Sequence, residues 1–193
     1  MWSEPKAEQS ASVLERVGKN SVETTRRLEG REAHTSCRIL EAHSLHNSDT
    51  AAAQGGDGGT WVSGMQRPLA VDTHGWPQAM VVTTAQVTDR HGACQMGMLQ
   101  PSWRTNVRKV LADGGDTGAH VARATPAMLG CTVAIAQRNA RPTCAVLPKR
   151  GVVERAGAWL AQCRRLWKNC ARKLHTSLPM TVRAFLALLL KRL

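Results

Sequence analysis

Three carboxylates stand out in this 193-residue chain by position rather than by type: Glu41, Asp113 and Glu154. Glu41 closes a short apolar run at 37–40, which reads as a strand. Asp113 closes a second apolar run, 109–112, immediately before Gly114 and Gly115. Glu154 falls one turn into an expected amphipathic helix. Acids at strand ends and helix starts can converge from distant segments in a layered α/β fold. Three carboxylates with little else nearby form a hard-oxygen site suited to Mg²⁺ or Mn²⁺. Two such ions can activate water or a nucleic-acid 3′-hydroxyl and stabilise the leaving oxygen at phosphorus. Position alone does not separate this reading from ordinary surface acids, because any chain with 14 acidic residues offers such triples.

The neighbouring residues have plainer readings. His43 and His46 flank Glu41, but imidazole is an unusual ligand for Mg²⁺, so both read as loop residues. Asp72, beside a turn, reads as structural. Net charge is +12, and residues 149–193 hold eleven Lys or Arg against one acid. Such a block points to a polyanion, nucleic acid first, with a solvated cationic helix face as the alternative. Lys149, Arg150, Arg155, Arg164, Arg165 and Lys168 are the candidate phosphate contacts. Arg150 stands four residues before Glu154, where it can meet either a phosphate or that carboxylate. Arg164, Arg165, Lys168, Arg172 and Lys173 form a stripe opposite Trp159, Cys163, Leu166 and Trp167, with the two tryptophans expected in the core.

The elements that must position these groups follow from pattern. Residues 1–36 are polar, with a thin apolar stripe over 13–28, and are expected to be weakly ordered or docked on the rest. Four glycines within 54–59 make a loop that lacks the Lys-Ser/Thr ending of a phosphate loop. Strands are expected at 69–73 and 79–84 as a hairpin, then at 109–113 and 131–137. Helices are expected at 89–100, 117–128, from 153 through Cys170, and over 180–193. On that long helix Cys163 and Cys170, seven apart, would share a face as core thiols. None of the six cysteines forms a C-x-x-C pair, and the longest apolar run, 184–190, is too short to span a bilayer. The expectation is a cytoplasmic chain with reduced thiols, no membrane partner and an α/β mixed sheet.

Several segments together resemble the D-D-E transposases of the bacterial insertion-sequence-five group. KVLA followed by Asp113, Gly114 and Gly115 is similar to the segment of the second acid, and CAVLPKRGVVER (144–155) to that of the third. AWL (158–160) and CRRLWK (163–168) resemble the family's following helix. EAHSLHNSDT (41–50) stands where the first acid belongs, and VSG (62–64) with LAVDT (69–73) matches the next hairpin. The resemblance runs from about Arg31 to Leu193. It implies a ribonuclease-H-like mixed sheet flanked by helices, with Glu41, Asp113 and Glu154 as catalytic residues holding Mg²⁺ or Mn²⁺. It implies DNA as partner, metal-dependent strand cleavage and strand transfer, and assembly of copies on DNA.

Departures from the pattern carry expectations of their own. The family's first acid is aspartate, and Glu41 is longer by one methylene, which displaces the carboxylate by about 1.5 Å where positioning within about 0.5 Å is needed. Gly56 and Asp116 replace usual tyrosines, Thr60 and Trp61 a basic pair, and Gly151 a tryptophan; Pro68 lies in an expected strand. The family's N-terminal DNA-binding helices are expected to be missing or reduced to residues 1–36, a poorly ordered remnant before a catalytic domain at 37–193. The chain thus reads as a truncated copy with impaired activity. The alternative is a non-catalytic DNA-binding remnant, and an acid at all three sites favours the enzyme while glutamate at 41 leans away from it.

Overall fold

The computed structural model describes residues 5–53, 55–59, 61–99, 106–113, 132–136 and 150–191. In chain order the elements are α1 (Pro5–Leu28), β1 (Cys37–His46), β2 (Gly56–Asp57), β3 (Val62–Val71), β4 (Pro77–Met80), β5 (Thr83–Thr84), α2 (Asp89–Leu99), β6 (Lys109–Asp113), β7 (Thr132–Ala136), α3 (Arg150–Ala161) and α4 (Leu174–Leu190). Among the described residues, seven strands form one mixed sheet in the order β2-β3-β1-β6-β7, with β4 and β5 also paired to β3. β3 runs antiparallel to β1, whereas β6 is parallel to both β1 and β7. This is the ribonuclease-H-like α/β arrangement expected from the sequence. The helix expected at 117–128 lies outside the described residues.

Both faces of the sheet are covered, which is why its central strands carry consecutive apolar residues. On one face Ile39, Leu69, Val71 and Met80 pack with Ala156 and Leu160 of α3, Leu166, and Phe185 of α4. On the other, Ala70, Ala79, Val81 and Val110 pack with Met96 of α2, joined by Leu40. Ile39 and Leu40 therefore serve opposite faces, as the two-residue strand period requires.

β1 does not stop at Glu41. It continues five residues to His46, so His43 and His46 lie on a strand and not in a loop. The cause is pairing rather than hydrophobicity: β3 matches β1 continuously from Ile39↔Val71 to His46↔Gly64. Pro68 sits inside this ladder, opposite Ala42. Its carbonyl accepts from the Val81 amide at 3.1 Å, on the side away from β1. Carbonyl and amide of one residue point the same way in an antiparallel strand. The missing N–H thus faces the outer edge, where β3 changes partner between β5, which ends at Gln66↔Thr83, and β4, which begins at Leu69↔Met80. The β1 ladder loses nothing. Gly92 of α2 leaves space for the proline ring, which a Cβ there would approach to 2.4 Å.

The long helix expected to run through Cys170 is broken. α3 ends at Ala161, and the chain turns over 162–168. Tertiary hydrogen bonds decide this. The Leu166 carbonyl accepts from buried Arg67 of β3 at 2.7 Å, and the Asn169 amide donates to the His46 carbonyl at 2.9 Å. Asn169 Nδ2 also donates to Asn47 Oδ1 at 2.8 Å. Cys163 and Cys170 consequently share no helix; the first is half-buried and the second exposed. α4 begins at Leu174, six residues ahead of the expected start, and carries Pro179 inside it.

The segment before β1 docks on the sheet domain. α1 packs along α4, and Val22 joins Trp76 and Leu189 in a small cluster. Below it Arg26 Nη1 donates to Asp72 Oδ2, both side chains being buried. Asp72 Oδ1 accepts from the amides of His74 at 2.8 Å and Trp76 at 2.9 Å, closing the β3–β4 turn. Removing one partner of a buried pair strands the other charge. Asp72→Ala is therefore expected to lower unfolding free energy by about 3–5 kcal/mol, measured by urea denaturation with circular dichroism. A loss below about 1 kcal/mol, the scale of an exposed pair, would show that the pair does not hold α1 and the turn together.

Candidate active site

The sheet brings the first two expected acids together by register. β1 and β6 pair in parallel from Cys37↔Lys109 to Leu40↔Ala112. The next positions on the two strands are Glu41 and Asp113. Two residues earlier, Ile39 and Leu111 are partners and both pack into the cluster under α3 and α4. Parallel neighbours lie about 4.8 Å apart, so Glu41 and Asp113 occupy adjacent backbone positions just past the last β1–β6 pair, where β6 ends and β1 continues. The Asp113 side chain lies outside the described set.

α3 crosses this face. Leu160 and Ala156 enter the core, and Gly157 comes down on the ring of His43. A Cβ at 157 would stand 2.4 Å from both Cε1 and Nε2 of that ring. Glycine inside a helix is less favourable than alanine by about 1 kcal/mol, so the position is occupied by glycine because the histidine takes the space. Glu154 lies one turn back from Gly157 and is exposed. His43 follows Glu41 by two residues and shares its face of β1. Their Nε2 and Oε2 atoms are 3.4 Å apart. Both atoms are buried and neither has a hydrogen-bond partner among the described residues. Glu41 Oε2 and His43 Nε2 thus face each other directly. Among the described residues no group of three or more His, Cys, Asp or Glu side chains is gathered closely enough for a metal ion, a search that does not reach the Asp113 side chain.

A buried cation lies beside the site. Arg67 pairs with His43 across β1 and β3 and is only 4% exposed. Burial pushes its guanidinium down to about 10, opposed by the neighbouring Cys163, so it remains charged at neutral pH. Its Nη2 is committed to the Leu166 carbonyl.

The expected phosphate contacts divide. Arg164 and Arg165 are exposed on the 162–168 turn rather than on a helical stripe, and Arg172 and Lys173 are exposed just beyond. Lys168 is half-buried with its ammonium 4.8 Å over the Trp167 ring, and that ring is 55% exposed rather than in the core. Arg155 donates to the His74 carbonyl at 2.9 Å and lies 5.4 Å over Trp159, which packs on Trp76. Arg150 begins α3, but its side chain, like all of Lys149, lies outside the described residues.

Residues 32–144 match the model of the family described as transposase DDE domain, more than half of the chain. The chain belongs to that family. The matched span contains Glu41 and Asp113 and ends ten residues before Glu154. No curated protein matches the chain. Among the described residues, no helix of this transposase-domain protein is long and apolar enough to cross a membrane.

The sequence reading missed His43 and Gly157 as parts of the site. One signal was present: His43 is two residues from Glu41, which means a shared face once 41–46 is a strand. The crowding at Gly157 yields a paired prediction. Gly157→Ala should destabilise the fold by about 1–3 kcal/mol through overpacking against the His43 ring. In a His43→Ala background the same change should instead be neutral or stabilising, by up to about 1 kcal/mol. Thermal and urea unfolding of the four chains give the coupling, and simple additivity would show that the two residues do not meet.

Proposed function

We propose that this chain is an insertion-sequence transposase of the insertion-sequence-five group. In this reading it acts in the cytoplasm on the ends of its element and on target DNA, as an assembly of copies. The observation that carries the reading is the register of Glu41 and Asp113 on adjacent parallel strands inside the family-matched span. The chemistry is metal-dependent strand cleavage and strand transfer, with Glu41, Asp113 and Glu154 holding Mg²⁺ or Mn²⁺. When bound, the ions supply Lewis acidity at phosphorus and lower the pKa of the attacking hydroxyl. The chain's own part is placement. In this reading Glu41 and Asp113 come from the adjacent interior strands β1 and β6, and Glu154 comes from α3. Exposed Arg164 and Arg165, with Lys149, Arg150, Arg155 and Lys168, hold the phosphate backbone, which positions the DNA without reading sequence.

Activity in this reading is impaired. Glu41 is a methylene longer than aspartate, and its Oε2 stands 3.4 Å from His43 Nε2. The assay is Mg²⁺- or Mn²⁺-dependent nicking and joining of DNA bearing the element's ends. Little joining is expected from the natural chain, and only partial recovery from Glu41→Asp. Robust joining by the natural chain, abolished by Asp113→Ala, would refute the impairment and keep the transposase. No metal-dependent nicking by any variant, with DNA binding intact, would leave a non-catalytic DNA-binding remnant.

Binding itself is expected to be electrostatic. Raising salt from about 50 to about 200 mM should weaken DNA affinity by an order of magnitude or more, and Arg164→Ala with Arg165→Ala should lower the salt slope by about 2. A fluorescence-anisotropy titration measures both, and salt-independent affinity would remove the phosphate contacts from the proposal.

A further inference from the structure

We propose that the connection between α3 and α4, residues 162–173, is a stacking platform for unpaired DNA bases. The Trp167 indole is its stacking surface, and Arg164, Arg165, Arg172 and Lys173 hold the phosphates of the same strand. The inference deepens the transposase reading, since it sets a single strand beside the site at Glu41. Three observations carry it. The first is that its neighbours hold Trp167 out of the core. The Leu166 side chain is buried and its carbonyl accepts from Arg67. Asn169 is buried too, and its amide donates to the His46 carbonyl. A chain pinned on both sides leaves the ring 55% exposed. A ring already held in place gives up little freedom when a ligand stacks on it.

The second observation is charge. Residues 155–193 contain no Asp or Glu. Arg164, Arg165, Arg172 and Lys173 are exposed before and after the ring in the chain, and the Lys168 ammonium lies 4.8 Å over it. An aromatic surface among cations matches a polyanion that carries π-faces of its own. A duplex hides those faces within its stack, so the match is to unpaired bases. Among the described side chains from 150 to 189, Trp167 is the one large apolar group that is exposed. A lone ring among cations suits a base, whereas a lipid surface takes a whole apolar helix face.

The third is position. Arg67, which bonds the Leu166 carbonyl, is the cross-strand partner of His43, and Leu166 packs with Ile39 and Leu69. The connection therefore lies over the sheet face that carries Glu41 and His43. From Glu41 to His46, β1 advances about 17 Å, at about 3.3 Å per residue. A stacked strand covers that span in about five nucleotides, at about 3.4 Å each. A strand with its reacting phosphate at the acids thus brings a base about five positions away to Trp167.

The test is binding of fluorescein-labelled DNA to the full chain without divalent metal, read by anisotropy at fixed salt. The probes are a thymidine oligonucleotide, an abasic strand of the same length and a duplex of that length. The proteins are the natural chain, Trp167→Ala, Trp167→Phe and Trp61→Ala. Trp61 is 89% exposed but lies in the run 50–66, which holds no Lys or Arg, and so controls for loss of an exposed indole. Trp167→Ala should weaken thymidine-strand binding about tenfold, the scale of one lost stacking contact, and change duplex affinity by less than about twofold. Trp167→Phe should retain most of the affinity, and Trp61→Ala should change neither probe. The ligand side needs no variant that must fold: the natural chain should bind the abasic strand at least about tenfold more weakly than the thymidine strand. Equal losses on single strand and duplex, an equal loss in Trp61→Ala, or equal affinity for abasic and thymidine strands would overturn the platform and keep the phosphate contacts. Trp167-dependent binding to phosphatidylserine vesicles, with no Trp167-dependent binding to the thymidine strand, would overturn it in favour of a lipid surface. Failure of the natural chain to bind any of the three DNAs would overturn the platform and the DNA-binding reading together.

Discussion

A single buried carboxylate, Asp72, organises the end of the molecule that supports the site. It is fully buried, and its two oxygens accept three donors: the His74 and Trp76 amides and the Arg26 guanidinium. A charge in that position is tolerable only when every lone pair it turns inward is met. Meeting them fixes a chain of neighbours. The amides force the turn after β3, the turn presents Trp76 to Trp159 of α3 at 5.5 Å between ring centroids, and the guanidinium ties α1 to the same point. Arg155 adds a bond from α3 to the His74 carbonyl. The helix that carries Glu154 is thus registered against the sheet from one end by a polar constraint and along its length by Ala156 and Leu160 in the core.

The other end of that unit is fixed by Arg67 and Asn169. Arg67 is buried beneath the 162–168 turn and bonds the Leu166 carbonyl; Asn169 joins the end of β1 through backbone and side chain. These bonds end α3 after three turns and swing the basic residues out of a helical stripe onto a turn. The apolar residues at helical spacing remain useful after the break. Leu160 and Leu166 still enter one core, and Cys163 packs at its margin, from a helix and a turn rather than from one helix. Spacing preserved the burial of these residues but not the secondary structure that delivers it.

The strand β1 shows how a site residue is placed by its partner strand. Its apolar part is short, and the sequence from Glu41 to His46 is too polar to read as a buried strand. The β3 ladder holds it extended regardless. That extension turns Glu41 and His43 into same-face neighbours, and the α3 approach through Gly157 is possible only because that residue has no side chain. Pro68, which ought to weaken a central strand, is accommodated because the donor it lacks faces the interrupted outer edge.

The sequence by itself determined much of the scaffold. Apolar runs predicted strands at 109–113 and 131–137, close to β6 at Lys109–Asp113 and β7 at Thr132–Ala136, and the acid closing 109–112 marked the end of the first. Motif order identified the transposase DDE domain, which the family match over 32–144 supports. These features are local, encoded by side-chain period and residue type within a few positions. What the tertiary structure decided is non-local: the length of β1, the break after Ala161, the docking of α1 through Arg26 and Asp72, and the meeting of His43 with Gly157. Each rests on hydrogen bonds or steric contacts between residues many positions apart. No window along the chain contains both partners, so periodicity could not anticipate them. Only pairing in three dimensions made His43 a neighbour of Glu41 rather than a loop residue.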